Sequence, residues 1–111
     1  MQRDYKIYLD DILTAIEKIE KYKKRILDKD FIEEDLIIDA IIRNLEIIGE
    51  AAKKIPIEIR RKYPKIEWKK ISCFRDILIH EYFGIDLEII WDVLNNKIPT
   101  LKKSIKEILK K

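Results

Sequence analysis

From Leu36 to Ala52 the chain is apolar around nearly the whole circumference of a helix. Leu36, Ile37, Ile38, Ala40, Ile41, Ile42, Leu45, Ile47, Ile48, Ala51 and Ala52 leave only a narrow polar stripe at Asp39, Arg43, Glu46 and Glu50. Such a helix must be central to its fold or half covered by a partner. A chain of 111 residues has few elements with which to cover one helix on all sides, so the pattern predicts a homodimer. Gly49, with Ala51 and Ala52 beside it, would permit a close helix crossing.

The flanking sequence is helical in period too. Tyr5, Tyr8, Leu9, Ile12, Ile16, Ile19 and Ile26 recur in steps of three, four and seven and predict a helix over about 4–28. Asp30 with Glu33 makes a capping box that opens the second helix, over about 32–54. Pro56 suits the first position of a short helix reaching about Tyr63. Trp68, Ile71, Phe74 and Leu78 mark a helix over about 67–83, with Gly84 as its left-handed stop. Asp86 caps a helix over about 86–96, and Ile85 and Ile90 form its hydrophobic staple. Pro99 kinks that helix or opens a last one over about 99–110. Two Gly and three Pro in the whole chain leave little to interrupt helices. The expectation is one all-α domain spanning 1–111, a compact up-and-down bundle of four to six helices.

The balance of charges narrows function less. A net charge of +3 does not by itself announce a nucleic-acid binder. Lys53, Lys54, Arg60, Arg61, Lys62 and Lys65 form the densest basic region and the best candidate for phosphate contacts. Cys73 is the single cysteine, so no disulfide framework or cysteine metal site is expected, and one histidine makes a structural zinc site improbable. No metal or cofactor is implied. The amino terminus lacks a signal-peptide apolar core, and no window reaches the roughly 18 apolar residues of a membrane span. A cytoplasmic protein with no membrane association is expected.

Chemistry concentrates in Arg75-Asp76-Ile77-Leu78-Ile79-His80-Glu81-Tyr82. On an ideal helix Arg75 and His80 point about 140° apart, whereas Arg75 and Tyr82 share a face. Asp76 and His80 are neighbours at i and i+4, so Asp76 could accept a hydrogen bond from one ring nitrogen and set the tautomer. Arg75 is the natural phosphate binder, its planar fork matching an oxyanion. A helix that only packs has no need of this set.

The spacing Arg75-X4-His80-X-Tyr82 resembles the R-X4-H-X-Y motif of the HEPN superfamily, in particular the HepT-like toxins of minimal-nucleotidyltransferase/HEPN toxin–antitoxin pairs. The likeness extends over nearly the whole chain, through Arg43 to Ala52, Trp68 to Ile71, Tyr82 to Asp86 with Ile90 and Trp91, and Ile98 to Leu101. It implies an all-helical HEPN domain, a homodimer and a metal-independent ribonuclease acting on RNA. By this likeness Arg75 and His80 are catalytic, and Asp76 matches the polar residue that follows the motif arginine. Tyr82 matches the tyrosine that the nucleotidyltransferase antitoxin modifies with AMP. Arg43, Glu46 and Glu50 could line the same cleft, although ion pairing within the chain is their simpler role. The competing reading is a helical module that binds a nucleotidyltransferase or a nucleotide without catalysis. A purely structural helical dimer leaves the motif unexplained.

Overall fold

A computed structural model of the chain describes residues 4–26, 35–80 and 84–110. The elements are α1 (Tyr5–Lys23), α2 (Asp35–Lys53), α3 (Ile57–Lys62), α4 (Trp68–His80), α5 (Leu87–Asp92), a π-helical segment (Val93–Lys97) and α6 (Ile98–Leu109). The fold is an all-α bundle, as the periodicity predicts. α2 lies against α1 and against α4, and α6 returns to α1.

The apolar periodicity of each long helix becomes one shared core. α1 contributes Leu9, Ile12, Ile16 and Ile19, none more than 1% exposed. α2 contributes Ile38, Ile41, Ile42, Leu45, Ile48, Ala51 and Ala52. Leu78 from α4, Ile90 from α5 and Ile105 from α6 are fully enclosed. Burying one such side chain is worth about 1.5–3 kcal/mol. The polar stripe of α2 falls as expected: Asp39, Arg43 and Glu50 are exposed and Glu46 is half-buried. Leu36 departs from the pattern, for it is 86% exposed at the first turn of α2.

Local chemistry sets several boundaries. Asp4 caps α1 by accepting from the Lys6 amide at 3.0 Å. α1 ends at Lys23, short of the expected 28, because the chain tightens there. The Arg25 and Ile26 amides bond to the carbonyls three residues back, at 3.0 and 3.1 Å, and carry Ile26 into the core. The expected Asp30/Glu33 box lies outside the described residues. Pro56 precedes α3 as its cap, one position earlier than expected. Asp86 caps α5 through the Glu88 amide at 2.9 Å, and Ile85 packs on the core that holds Ile90.

One expectation is corrected and one is narrowed. No described glycine has a positive φ, so Gly84 is not a left-handed stop. Pro99 stands in the first turn of α6 and opens the last helix, one of its two expected roles, with no break in the chain of helices before it. α5, the π segment and α6 run on without a gap from Leu87 to Leu109. The Ile98 amide reaches back five residues to the Val93 carbonyl. A proline ring in a regular α-helix collides with the carbonyl four residues before it, and the wider π turn at 93–97 relieves that collision.

Candidate active site

α4 is the element that carries the motif, and its start is fixed by side chains. The Trp68 indole donates to the Tyr63 carbonyl at 3.1 Å, tying α4 to the end of α3. Trp68 itself is only 5% exposed. One turn on, the Ser72 hydroxyl donates to the Trp68 carbonyl at 3.0 Å. From this anchor α4 runs unbroken to His80.

Arg75 sits where α4 crosses α2. A Cβ placed on Gly49 would lie 2.2 Å from Arg75 Cβ, 3.0 Å from Arg75 Cγ and 3.0 Å from the Ile71 carbonyl oxygen. Only a residue without a side chain fits there, so the close crossing expected at Gly49 is present, and the side chain it admits is the motif arginine. Arg75 is three-quarters buried, and its Nη1 donates to Asp76 Oδ1 at 3.1 Å. Its Nε is buried with no hydrogen-bond partner.

Asp76 therefore pairs with Arg75 and not with His80, contrary to the bond that the i, i+4 spacing suggested. The reason is reach: the Arg75 stem, pressed against α2, swings its guanidinium round the helix to the adjacent carboxylate. Asp76 stands between the two motif residues around the circumference, about 100° from Arg75 and 40° from His80. His80 is exposed in the last turn of α4. One chain thus presents a held cation and an open imidazole on the same helix. Tyr82 lies outside the described residues.

The polar stripe of α2 contributes less than the sequence suggested. Glu50 pairs with Lys54 at 3.8 Å, both more than half exposed. Such a pair contributes little to stability. Arg43 and Glu46 make no ion pair among the described residues, and neither touches Arg75 by a hydrogen bond. Sequence reasoning passed over Asn44, the one buried polar residue among the described residues. Its amide donates to the Ala40 carbonyl at 2.9 Å, which offsets the cost of burial. A lone Asn inside so apolar a run was the available signal. Among the described residues no three His, Cys, Asp or Glu side chains gather as metal ligands would. No described helix is long and apolar enough to cross a membrane.

The chain is thus an all-helical bundle with an Arg-X4-His pair on one helix, as the HEPN resemblance implied. Residues 12–108 match the family model described as ribonuclease HepT-like, and the chain belongs to that family. A candidate ribonuclease HepT of Thermococcus cleftensis is 43% identical over 99% of this chain and 100% of its own length. A candidate RNase of Caldanaerobacter subterraneus subsp. tengcongensis is 46% identical over 94% of this chain and 93% of its own. A Methanocaldococcus jannaschii protein described as a gamma-glutamylcyclotransferase and candidate RNase is 49% identical over 98% of this chain. The chain spans about half of that last relative, 49% of its length. No solved structure matches the chain.

Proposed function

We propose that this protein is the ribonuclease toxin of a toxin–antitoxin pair, cleaving RNA without a metal at a composite site between two copies of the chain. The observation that carries the reading is the pairing on α4 of a braced, partly exposed Arg75 with an open His80. Cleavage that uses the substrate's own 2′-hydroxyl needs a base, an acid and a cation, and no metal. His80 of one copy takes the 2′-hydroxyl proton, and the 2′-oxygen attacks the adjacent phosphorus. His80 of the second copy gives its proton to the departing 5′-oxygen. The products are a 2′,3′-cyclic phosphate and a 5′-hydroxyl. Arg75 neutralises the phosphorane, exchanging its surface bond to Asp76 for phosphate oxygens.

The chain has one histidine, so a histidine base paired with a histidine acid requires two copies. Most apolar residues of α2 are buried within one copy, so the apolar surface that supports the dimer is the exposed Leu36 on α2 with Ile77 and Ile79 on α4. A nucleotidyltransferase antitoxin would silence the site by forming a bond between the Tyr82 oxygen and the α-phosphorus of ATP, with loss of pyrophosphate. Tyr82 follows His80 by two residues, so the added phosphate and nucleoside would repel and crowd an incoming RNA phosphate. The test is an RNA cleavage assay in EDTA, with parent protein beside His80→Ala. Cleavage by the parent alone, leaving cyclic phosphate ends, is the expected result. Clean parent protein that cuts none of several RNAs would leave a non-catalytic module that binds a nucleotidyltransferase or a nucleotide.

A further inference from the structure

Five of the basic residues outside the motif line one part of the surface. Two adjoining cavities, of about 420 and 560 Å³, open between the α3–α4 connection and the run from the π segment through α6. They share Lys65, Ile66 and Ser104 as common wall, so together they form one trough. Lys62, Lys65, Lys70, Lys97 and Lys110 line it. Against these stand two carboxylates, Glu67 and Glu107. The trough's net charge thus equals the +3 of the entire chain, and the remainder of the molecule is neutral on balance. Glu67 is already occupied by Lys70 at 2.8 Å. Lys65 and Lys97 are exposed and have no ion pair among the described residues.

The floor is apolar, built from Leu45, Ile71, Phe74 and Leu101. Thr100 and Ser104, one turn apart on α6, set hydroxyls along one wall. At the far end Tyr63 lines the trough, with Lys62 Nζ over its ring at 5.8 Å from the centroid. Lysines along a groove with aromatic and apolar surface beneath them suit a single nucleic-acid strand, whose phosphates follow the cations while a base leaves the water. A free carboxylate or phosphate would use the charge and leave the length of the trough idle. Lys70 and His80 are ten residues apart on α4, about 15 Å along its axis, a span of two or three nucleotides of extended strand. Ile77, 49% exposed, lies between them on the same side of the helix as Lys70.

We propose that this trough binds the single-stranded RNA flanking the scissile phosphate, its lysines holding phosphates and its apolar floor receiving a base. The proposal rests on the ribonuclease reading, but its test does not depend on cleavage. Binding of fluorescein-labelled oligo(U) is measured by anisotropy over a salt series, with His80→Ala as the reference protein. Adding Lys65→Ala and Lys97→Ala is expected to weaken binding roughly tenfold at low salt and to lower the log–log salt slope by about 1.4, two single-strand phosphates' worth. Adding Lys18→Ala and Lys21→Ala, exposed on α1, removes the same charge elsewhere and is expected to change affinity less than about twofold.

Unchanged affinity in the trough variant overturns the proposal. So does equal weakening by both pairs, which would reduce the effect to net charge. Equal loss on an oligo(U)·oligo(A) duplex overturns the assignment to a single strand. Normal RNA binding with lost nucleotidyltransferase binding would give the trough to a protein partner. A parent that fails to cut RNA while the trough variant loses affinity sinks only the catalytic reading. A parent that cuts while the trough variant binds normally sinks only this one.

Discussion

Gly49 is the seat of Arg75: the place where an alanine Cβ would stand at residue 49 is 2.2 Å from the arginine's own Cβ. α2 offers no side chain at that crossing, and the stem of Arg75 fills the space before its guanidinium turns to Asp76. Replacing Gly49 by Ala should therefore do two opposing things. Helix propensity alone favours Ala by about 1 kcal/mol. Overpacking against Arg75 and the Ile71 carbonyl costs about 1–3 kcal/mol. Net destabilisation is expected, read as a lower midpoint in urea, together with a loss of RNA cleavage larger than the stability change explains. Gly84→Ala is the contrast, since nothing lies within 4 Å of its Cβ and its φ is not positive. That variant should hold or gain about 0.4–1 kcal/mol. A stable, fully active Gly49→Ala protein would remove the seat from the account.

Arg75→Lys tests the fork and not the charge. Lysine keeps the cation but cannot place two parallel N–H donors on a phosphate, nor fill the crossing over Gly49 as the guanidinium stem does. Cleavage is expected to fall by about 10²-fold or more, as when one oxyanion donor is lost. Circular dichroism should remain that of the parent. Activity within a few fold of the parent would show that a point charge suffices.

Leu78 anchors the motif from beneath. It is 0% exposed, two residues before His80 and three after Arg75. Leu78→Ala leaves a cavity under the turn that carries the motif, expected to cost about 2–5 kcal/mol. Chemical denaturation measures the loss. A cost below about 1 kcal/mol would mean that the α2–α4 contact closes over the gap, contrary to the close packing of such interiors.

Lys102 ties α6 to α1 through Glu20 at 2.8 Å. The hydrogen bond to Glu20 raises the Lys102 ammonium above its ordinary 10.5. A raised pKa in the folded state stabilises below the unfolded value, and that contribution is lost as pH climbs through the folded one. The melting temperature of the parent should accordingly fall more steeply than that of Lys102→Met above pH 10.5. Parallel curves for the two proteins would show the pair to be without effect.

Much of this molecule is written in its periodicity. The all-α class, the inward faces of α1, α2 and α6 and the cap at Asp86 follow from apolar spacing and one carboxylate. A helix shows its buried face every three or four residues, whatever it packs against. The motif residues were legible for a related reason: Arg, Asp, His and Tyr in eight positions exceed what packing asks of a helix. Gly49 as a crossing point could be anticipated, because its lack of a side chain is itself the message.

Only the tertiary structure decided which residue fills that crossing, since it depends on the register of α4 against α2, and sequence spacing within one helix carries no such information. The same holds for Asp76, whose partner changed from His80 to Arg75 once the arginine stem was pinned to a second helix. Pro99 was ambiguous in sequence because a proline's missing donor and bulky ring can be met by a break, a kink or a widened turn, and the packing of α6 back onto α1 selects the continuous path. The lysine trough was legible only in part: Lys62 and Lys65 belong to the basic region expected to meet phosphates, whereas Lys70, Lys97 and Lys110 join them only in the fold. Its residues are scattered from 62 to 110, and what joins them is the fold that brings the α3–α4 connection beside α6.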